Sequence, residues 1–118
     1  MLSKALRKFS EIIDAVEVDR FVRVGNTYEL RVSLTLKDKS RLTVKDYLFA
    51  DGKRKYAYHW QSEDGCLLRR WDNAPHWPDL PGAPHHCHSA SNIVEPSSYR
   101  DLMSILSVIK YIMIKGEK

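Results

Sequence analysis

The sequence has few cysteines and no long hydrophobic run. Its 118 residues include only Cys66 and Cys87, too few for a disulfide scaffold, so we expect both thiols to be free. No apolar run approaches the roughly 20 residues that cross a bilayer, and charged residues interrupt the N-terminus where a signal peptide would be apolar. We therefore expect a cytoplasmic protein with no membrane partner.

Several catalytic motifs are also absent. The sequence contains no glycine-rich phosphate loop, no serine nucleophile elbow and no recognisable pair of carboxylates. These absences disfavour nucleotide-dependent and serine-hydrolase chemistry, and we expect no cofactor. The composition is that of an ordinary globular protein, with 43% hydrophobic and 29% charged residues, and the length suits a single domain over residues 1–118.

The charge is unevenly distributed along the chain. The net charge is +4, and the basic surplus lies in residues 1–60. Such a surface favours a phosphate-bearing or acidic partner through an attraction that salt screens. A solvated basic surface without a partner is the plainer interpretation.

Hydrophobic periodicity predicts an α+β fold. Apolar residues at three- and four-residue spacing predict an amphipathic helix over residues 2–15. Alternation and turn signals then predict a meander of about five antiparallel strands over residues 18–72, followed by a proline-rich loop over residues 72–96. A second helix follows Pro96, with Ser98 as its cap and Asp101 three residues later as part of a capping box. Because each helix has a single apolar stripe, we expect both to pack on one face of the antiparallel sheet.

Histidines cluster in the proline-rich loop. Four of the five lie there, namely His76, His85, His86 and His88. One imidazole can accept a proton and another donate one during phosphodiester cleavage, while an arginine stabilises the charge on the phosphate oxygens. Arg69 and Arg70 end the strand that leads into this loop. Successive side chains of a strand point to opposite faces, so at most one of the two arginines reaches the site.

Two other interpretations of the loop stay open. A metal site would take His76, Cys87 and one or two of the other loop histidines, but the paired spacings of structural zinc motifs are missing, so we predict no metal. Alternatively, the segment covers a sheet edge and its imidazoles bond to backbone groups. At the strand end, we expect Trp71, Asp72 and Asn73 to have structural roles, and Asp72 can also orient a histidine.

Aromatic and basic residues suggest single-stranded nucleic acid as a ligand. Aromatic rings stack on bases, and basic side chains hold phosphates. The candidates are Lys53, Arg54, Lys55, Tyr58, Trp60 and Trp77. For the alternating aromatics at residues 56–60, packing in the core is the plainer interpretation.

Four short blocks carry a family resemblance. They read Tyr-Ala-Tyr-His-Trp-Gln at residues 56–61, Arg-Trp-Asp-Asn-Ala-Pro-His at 70–76, Pro-His-His-Cys-His at 84–88 and Val-Glu-Pro at 94–96. In combination they resemble the TumE family of small prokaryotic toxin-antitoxin proteins. The resemblance implies the toxin half of a two-gene module, with a cognate antitoxin as its partner.

The leading hypothesis is a toxin that acts as a metal-independent endoribonuclease on RNA or ribosome-associated RNA. His86 or His88 is the expected base. His85 or His76 is the expected acid, and one of the two arginines contacts the phosphate. A non-catalytic nucleic-acid- or protein-binding module is the alternative, and a zinc-dependent variant ranks third. The sequence leaves the oligomeric state open, including a homodimer.

Overall fold

The computed structural model describes residues 2–116 and shows one antiparallel sheet with a helix at each end of the chain. The elements in chain order are α1 (Leu2–Lys8), β1 (Ile13–Val24), β2 (Thr27–Leu36), β3 (Arg41–Leu48), β4 (Arg54–Gln61), β5 (Leu67–Asp72), β6 (His86–Ser89), β7 (Val94–Pro96) and α2 (Leu102–Lys115). The seven strands lie in chain order, with β1 and β7 at the edges of an open sheet. The α+β class is confirmed, with seven strands in place of about five.

The two additional strands lie in the segment predicted as a loop. β6 pairs with β5, and β7 pairs with β6. They have four and three residues, too few to show a clear alternation, and prolines lie beside or within them. The loop prediction for residues 72–96 is therefore wrong at these two strands. Pairing with the preceding strand of the sheet, and not a local pattern, holds each of them extended.

α1 is shorter than the predicted helix. It ends at Lys8, a turn follows, and the chain is already in β1 at Ile13. The prediction of helix to residue 15 is wrong because β1 is rich in β-branched residues, which favour strands, and β2 satisfies its backbone groups. Phe9 and Ile12 from the predicted stripe are buried in the core, whereas Val16 is 42% exposed on β1.

One face of the sheet is buried against both helices. Paired residues on this face include Leu34 with Leu42 and Tyr58 with Trp71, all of them buried. The helices add Ala5, Ile105, Leu106, Ile109 and Ile112 to the same core. We call this the helix side, and we call the other face, which carries mostly polar and charged side chains, the open face. Neither helix in residues 2–116 has the length and apolar content that a membrane span requires.

Asp101 caps α2 directly. Its backbone is extended, and its side chain accepts a hydrogen bond from the N–H of Ser104 at 2.8 Å. Asp101 is therefore the N-cap itself. The sequence pattern instead suggests Ser98 as the cap, with Asp101 in the first turn. Asp101 takes the cap position because its carboxylate reaches the free N–H groups of the first turn.

We expect Asp101→Ala to lower the free energy of unfolding by about 1 kcal/mol, because the Ser104 N–H loses its acceptor. Urea denaturation followed by circular dichroism measures this change. Ser98→Ala is the control and should stay within about 0.5 kcal/mol of the parent. A larger cost for Ser98→Ala than for Asp101→Ala would restore the predicted cap.

Candidate active site

Four polar side chains meet on the open face where β5 ends. Asp72 is the last residue of β5 and pairs with His86 in β6, and Arg70 pairs with His88. Residues paired across antiparallel strands share a face, as do residues two apart in one strand. The register therefore brings Arg70, Asp72, His86 and His88 together, and we call these four residues the Asp72 cluster.

The carboxylate of Asp72 is the centre of the cluster. Its Oδ2 accepts a hydrogen bond from Arg70 Nε at 3.0 Å, and its Oδ1 accepts one from the backbone N–H of Ala74 at 3.0 Å. Oδ1 also lies 2.8 Å from His86 Nε2, whereas His88 Nε2 lies 3.7 Å from Oδ2, beyond hydrogen-bond range. The Asp72 side chain is buried, so these partners replace the water it would otherwise bind.

His86 is buried and bonded at both ring nitrogens. Its Nδ1 lies 2.8 Å from the carbonyl oxygen of Pro84, and its Nε2 lies 2.8 Å from Asp72. A carbonyl oxygen only accepts, so Nδ1 donates to Pro84, and Nε2 faces the Asp72 carboxylate at hydrogen-bond distance. Because the His86 side chain is only 1% exposed, it has no surface for a substrate. Its contacts are those of a residue that positions Asp72 and His88.

His88 is the member of the cluster best suited to accept a proton. Its side chain is 20% exposed, and its ring packs edge-on against the rings of His86 and Trp77, with centroids 4.8 and 6.4 Å away. Desolvation lowers the pKa of His88 below 6.5; the Asp72 carboxylate acts in the opposite direction, while His86 and Arg70 lower it further. The ring is therefore neutral near pH 7.

The Asp72 cluster forms one wall of an open cleft of about 400 Å³. His76 and Trp77 from the segment after β5, Lys55 from β4 and Asn92 from the turn between β6 and β7 line other parts of it. Trp77 is 42% exposed, so its ring is accessible to a ligand. Cationic, aromatic and imidazole groups together suit a phosphate-bearing ligand.

A row of basic side chains extends from the cleft across the open face. Arg31 in β2 pairs with Lys45 in β3, and Lys45 in turn pairs with Ala57 in β4. Lys55 and Arg70 line a small depression on this face together with Arg31 and Lys45. We call Arg31, Lys45, Lys55 and Arg70 the basic row. It gives the cleft a positively charged approach.

Sequence reasoning missed part of this surface. Arg31, Lys45 and His59 were not among the predicted site residues, although their alternation with buried residues was a signal that they share one face. His59 Nδ1 lies 3.2 Å from Nη1 of Arg70. Desolvation and the charge of Arg70 lower the pKa of His59, so its neutral ring can accept a hydrogen bond from the guanidinium.

Three residues that the sequence placed in a possible site lie outside the cleft. His85 stacks on Tyr56 with centroids 5.7 Å apart, and a hydrogen bond of 2.7 Å joins its Nδ1 to the tyrosine hydroxyl. Arg69 and Cys87 lie on the helix side of β5 and β6, because the side chains of each strand alternate. Burial raises the pKa of the Cys87 thiol. The acid role for His85 and the phosphate role for Arg69 therefore lose their geometric basis.

Four of the six residues predicted to bind nucleic acid also lie outside the cleft. Tyr58 and Trp60 are each 1% exposed on the helix side, so neither ring can stack on a base, and core packing is the correct interpretation. Arg54 donates two hydrogen bonds of 2.9 Å to Asp46. Lys53 is exposed in the turn between β3 and β4. The remaining two candidates, Lys55 and Trp77, line the cleft.

Trp71 and Asn73 support the end of β5. Trp71 is 2% exposed in the core. Asn73 accepts a hydrogen bond from the N–H of Tyr56 at 2.9 Å and donates one to the carbonyl of Arg54 at 2.7 Å. These contacts fix the segment after β5 against β4, in line with the structural roles expected from the sequence.

The cluster also offers ligand atoms for a metal ion. Asp72, His86 and His88 each provide one, all within 4.8 Å of one another, and a carboxylate with two imidazoles is a ligand set that divalent transition metals use. This set differs from the one considered from the sequence, because Cys87 faces the core. A metal would have to displace the hydrogen bond between Asp72 and His86. The absence of a metal stays a prediction.

A comparison with models of protein families matches residues 2–113 to the family described as Toxin TumE. The chain belongs to the TumE toxin family. Searches of curated proteins and of solved structures found no match. The family assignment confirms the resemblance, and in this TumE protein the blocks that carry it lie in or beside β4, β5, β6 and β7.

Proposed function

We propose that this TumE toxin cleaves RNA by acid-base catalysis without a metal ion. The observation that carries the proposal is the meeting of Arg70, Asp72, His86 and His88 at one cleft, at the end of the basic row. Membership of a toxin family supports the toxin role. It also supports a cognate antitoxin as the partner. RNA or ribosome-associated RNA in the cytoplasm is the target that we infer from the chemistry of the cleft and the basic row.

In the proposed reaction His88 is the base and His76 the acid. The neutral His88 ring takes the proton of a ribose 2′-hydroxyl, and the 2′-oxygen forms a bond to the adjacent phosphorus. The bond from phosphorus to the 5′-oxygen breaks, and that oxygen takes a proton from His76, which lines the same cleft. The products end in a 2′,3′-cyclic phosphate and a 5′-hydroxyl. Arg70, held by Asp72, stabilises the negative charge on the phosphate oxygens.

Single-stranded RNA suits this surface. Trp77 is exposed at the cleft and can stack on an unpaired base, and the basic row can follow the phosphate backbone. The chemistry requires a 2′-hydroxyl, so DNA can bind here without being cleaved.

The pH dependence of cleavage follows from the pKa of His88. Because desolvation lowers this pKa below 6.5, the ring stays neutral at pH 7 and gains a proton only in more acidic solution. We expect kcat/KM on a short RNA to fall on acidification with a midpoint below pH 6.5. Circular dichroism over the same range shows whether the fold persists. An acid midpoint above 6.5 argues against His88 as the base.

The central experiment is incubation of the purified protein with RNA in the presence of EDTA. We expect products with a 2′,3′-cyclic phosphate, and no cleavage when the nucleotide before the scissile bond is 2′-deoxy. The variant His85→Ala/His86→Ala/His88→Ala should be inactive. If the intact protein cleaves none of several RNAs, the proposal fails. Loss of cleavage in EDTA that zinc restores would instead assign the cluster to a metal.

A non-catalytic RNA-binding toxin is the second candidate, and the extent of the basic row beyond the cleft favours it. The two candidates differ in living cells. Catalysis predicts that growth arrest is lost with His88→Ala and with Lys45→Glu. Binding alone predicts that arrest survives His88→Ala and is lost only with Lys45→Glu.

A further inference from the structure

β1 has an unpaired edge and exposes apolar side chains. Within residues 2–116 it pairs with β2 alone, and every residue of its twelve except Ile13 is exposed. The exposed fractions of Val16, Val18 and Phe21 are 42%, 51% and 60%. An exposed edge strand with an apolar surface is a template for another strand.

The register of β1 gives this edge an internal symmetry. It shifts between Val18 and Arg20, so Asp19 is an extra residue, as in a β-bulge. In the pairing with β2, Glu17 and Arg20 are the neighbours of Val18, one on each side, and both pair with β2 residues on the open face. Val16 and Phe21 are the next residues outward, and both lie on the helix side. Without the bulge, Glu17 and Arg20 would face opposite sides of the sheet.

We propose that two copies of the chain pair antiparallel through β1, about a twofold axis that is perpendicular to the sheet and lies midway between the Val18 residues of the two copies. In this register Glu17 faces the partner's Arg20 on the open face, and Val16 faces the partner's Phe21 on the helix side. Because of the twofold symmetry, each of these two contacts occurs twice in the dimer. Each apolar side chain thus gains an apolar neighbour, and each charge gains one of opposite sign.

The order of the charges along β1 favours pairing with a second copy of this chain over pairing with a strand of a different protein. The acidic residues Asp14, Glu17 and Asp19 come first along β1, and the basic residues Arg20 and Arg23 follow them. An antiparallel copy therefore places acids against bases, whereas charges on an edge usually repel another strand. Arg20 donates from Nε to Glu29 at 2.6 Å, and this bond holds its guanidinium on the open face.

Pairing of this kind leaves the candidate active site free. The Asp72 cluster lies in β5 and β6, toward the opposite edge of the sheet. Because the axis is perpendicular to the sheet, the basic rows of both copies lie on the same side. The inference does not depend on RNA cleavage, and its test needs no substrate.

The test is the mass in solution, measured by sedimentation equilibrium on the full chain. We expect a dimer for the parent protein. Glu17→Arg and Arg20→Glu each set like charges opposite one another twice, and each should raise the dimer dissociation constant by at least about tenfold. Glu63→Arg, the same change at an exposed residue in the turn after β4, is the control and should leave the dimer intact.

Mixing the two variants gives the sharpest result. Glu17→Arg protein and Arg20→Glu protein carry complementary edges, so an equimolar mixture should form a heterodimer although neither variant pairs with itself. A parent protein that is monomeric at all concentrations overturns the proposal. So does a dimer that both variants leave intact, or a monomer whose β1 edge instead binds an antitoxin. Circular dichroism checks that each variant is folded.

Discussion

His88→Ala lowers kcat for RNA cleavage by about 100- to 10,000-fold if the neutral imidazole is the base. The ring is partly exposed at the cleft, and its pKa is lowered by desolvation, so it is ready to take a proton at pH 7. Its loss should leave the fold intact, because His88 Nε2 lies 3.7 Å from Asp72 Oδ2, beyond hydrogen-bond range. Single-turnover kinetics on a labelled RNA measure the rate.

His85→Ala is the matched control for this variant. His85 lies three residues away in the same segment, but its ring stacks on Tyr56 outside the cleft. We expect its loss to leave the cleavage rate close to that of the parent. A large loss for His85→Ala with none for His88→Ala would contradict the assignment of the base.

Asp72→Ala is expected to lower the free energy of unfolding by about 3–5 kcal/mol, because it leaves a buried polar partner unpaired. The carboxylate accepts from Arg70 Nε and from the N–H of Ala74, and it lies 2.8 Å from Nε2 of His86, whose side chain is 1% exposed. Removing it leaves the His86 Nε2 without a partner in the interior. Urea denaturation at pH 7 measures the change.

Asp79→Ala is the control for Asp72→Ala. Asp79 is exposed in the segment between β5 and β6, so its replacement should change stability by no more than about 0.5 kcal/mol. Equal costs for the two variants would show that the Asp72 cluster contributes nothing to stability. Asp72→Asn tests the charge separately, since the amide retains one acceptor oxygen and the approximate size of the side chain.

Local patterns were sufficient for the central strands of the sheet. From β2 to β5, alternating apolar residues and turn residues mark each strand, because one face is buried and the other is open. The same reasoning failed at the N-terminus, where Ile12, Ile13 and Val16 continue the spacing of a helix into what is β1. Spacing alone cannot distinguish a helix from a bulged strand over so few residues.

For the candidate site, the sequence predicted only the region of the chain that carries it, and not which side chains meet there. Four histidines close in sequence to two arginines indicated where to look, and Arg70, His76, His86 and His88 do line one cleft. Their grouping could not separate His86 from His85, which lies outside the cleft. The centre of the cluster, Asp72, was expected to support the strand end and, as a second role, to orient a histidine, but the sequence did not show which histidine it contacts.

By itself, the sequence determined the class of the fold, the family and the region that carries the histidines, because these depend on local periodicity and on residues near one another in the chain. The tertiary structure alone decided which side chains meet. Asp72 reaches His86 because β5 and β6 pair in one register, and Arg70 reaches the cleft while Arg69 does not because side chains alternate. Strand register is set by packing across the whole sheet, so a shift of one residue would have exchanged the cleft and the core.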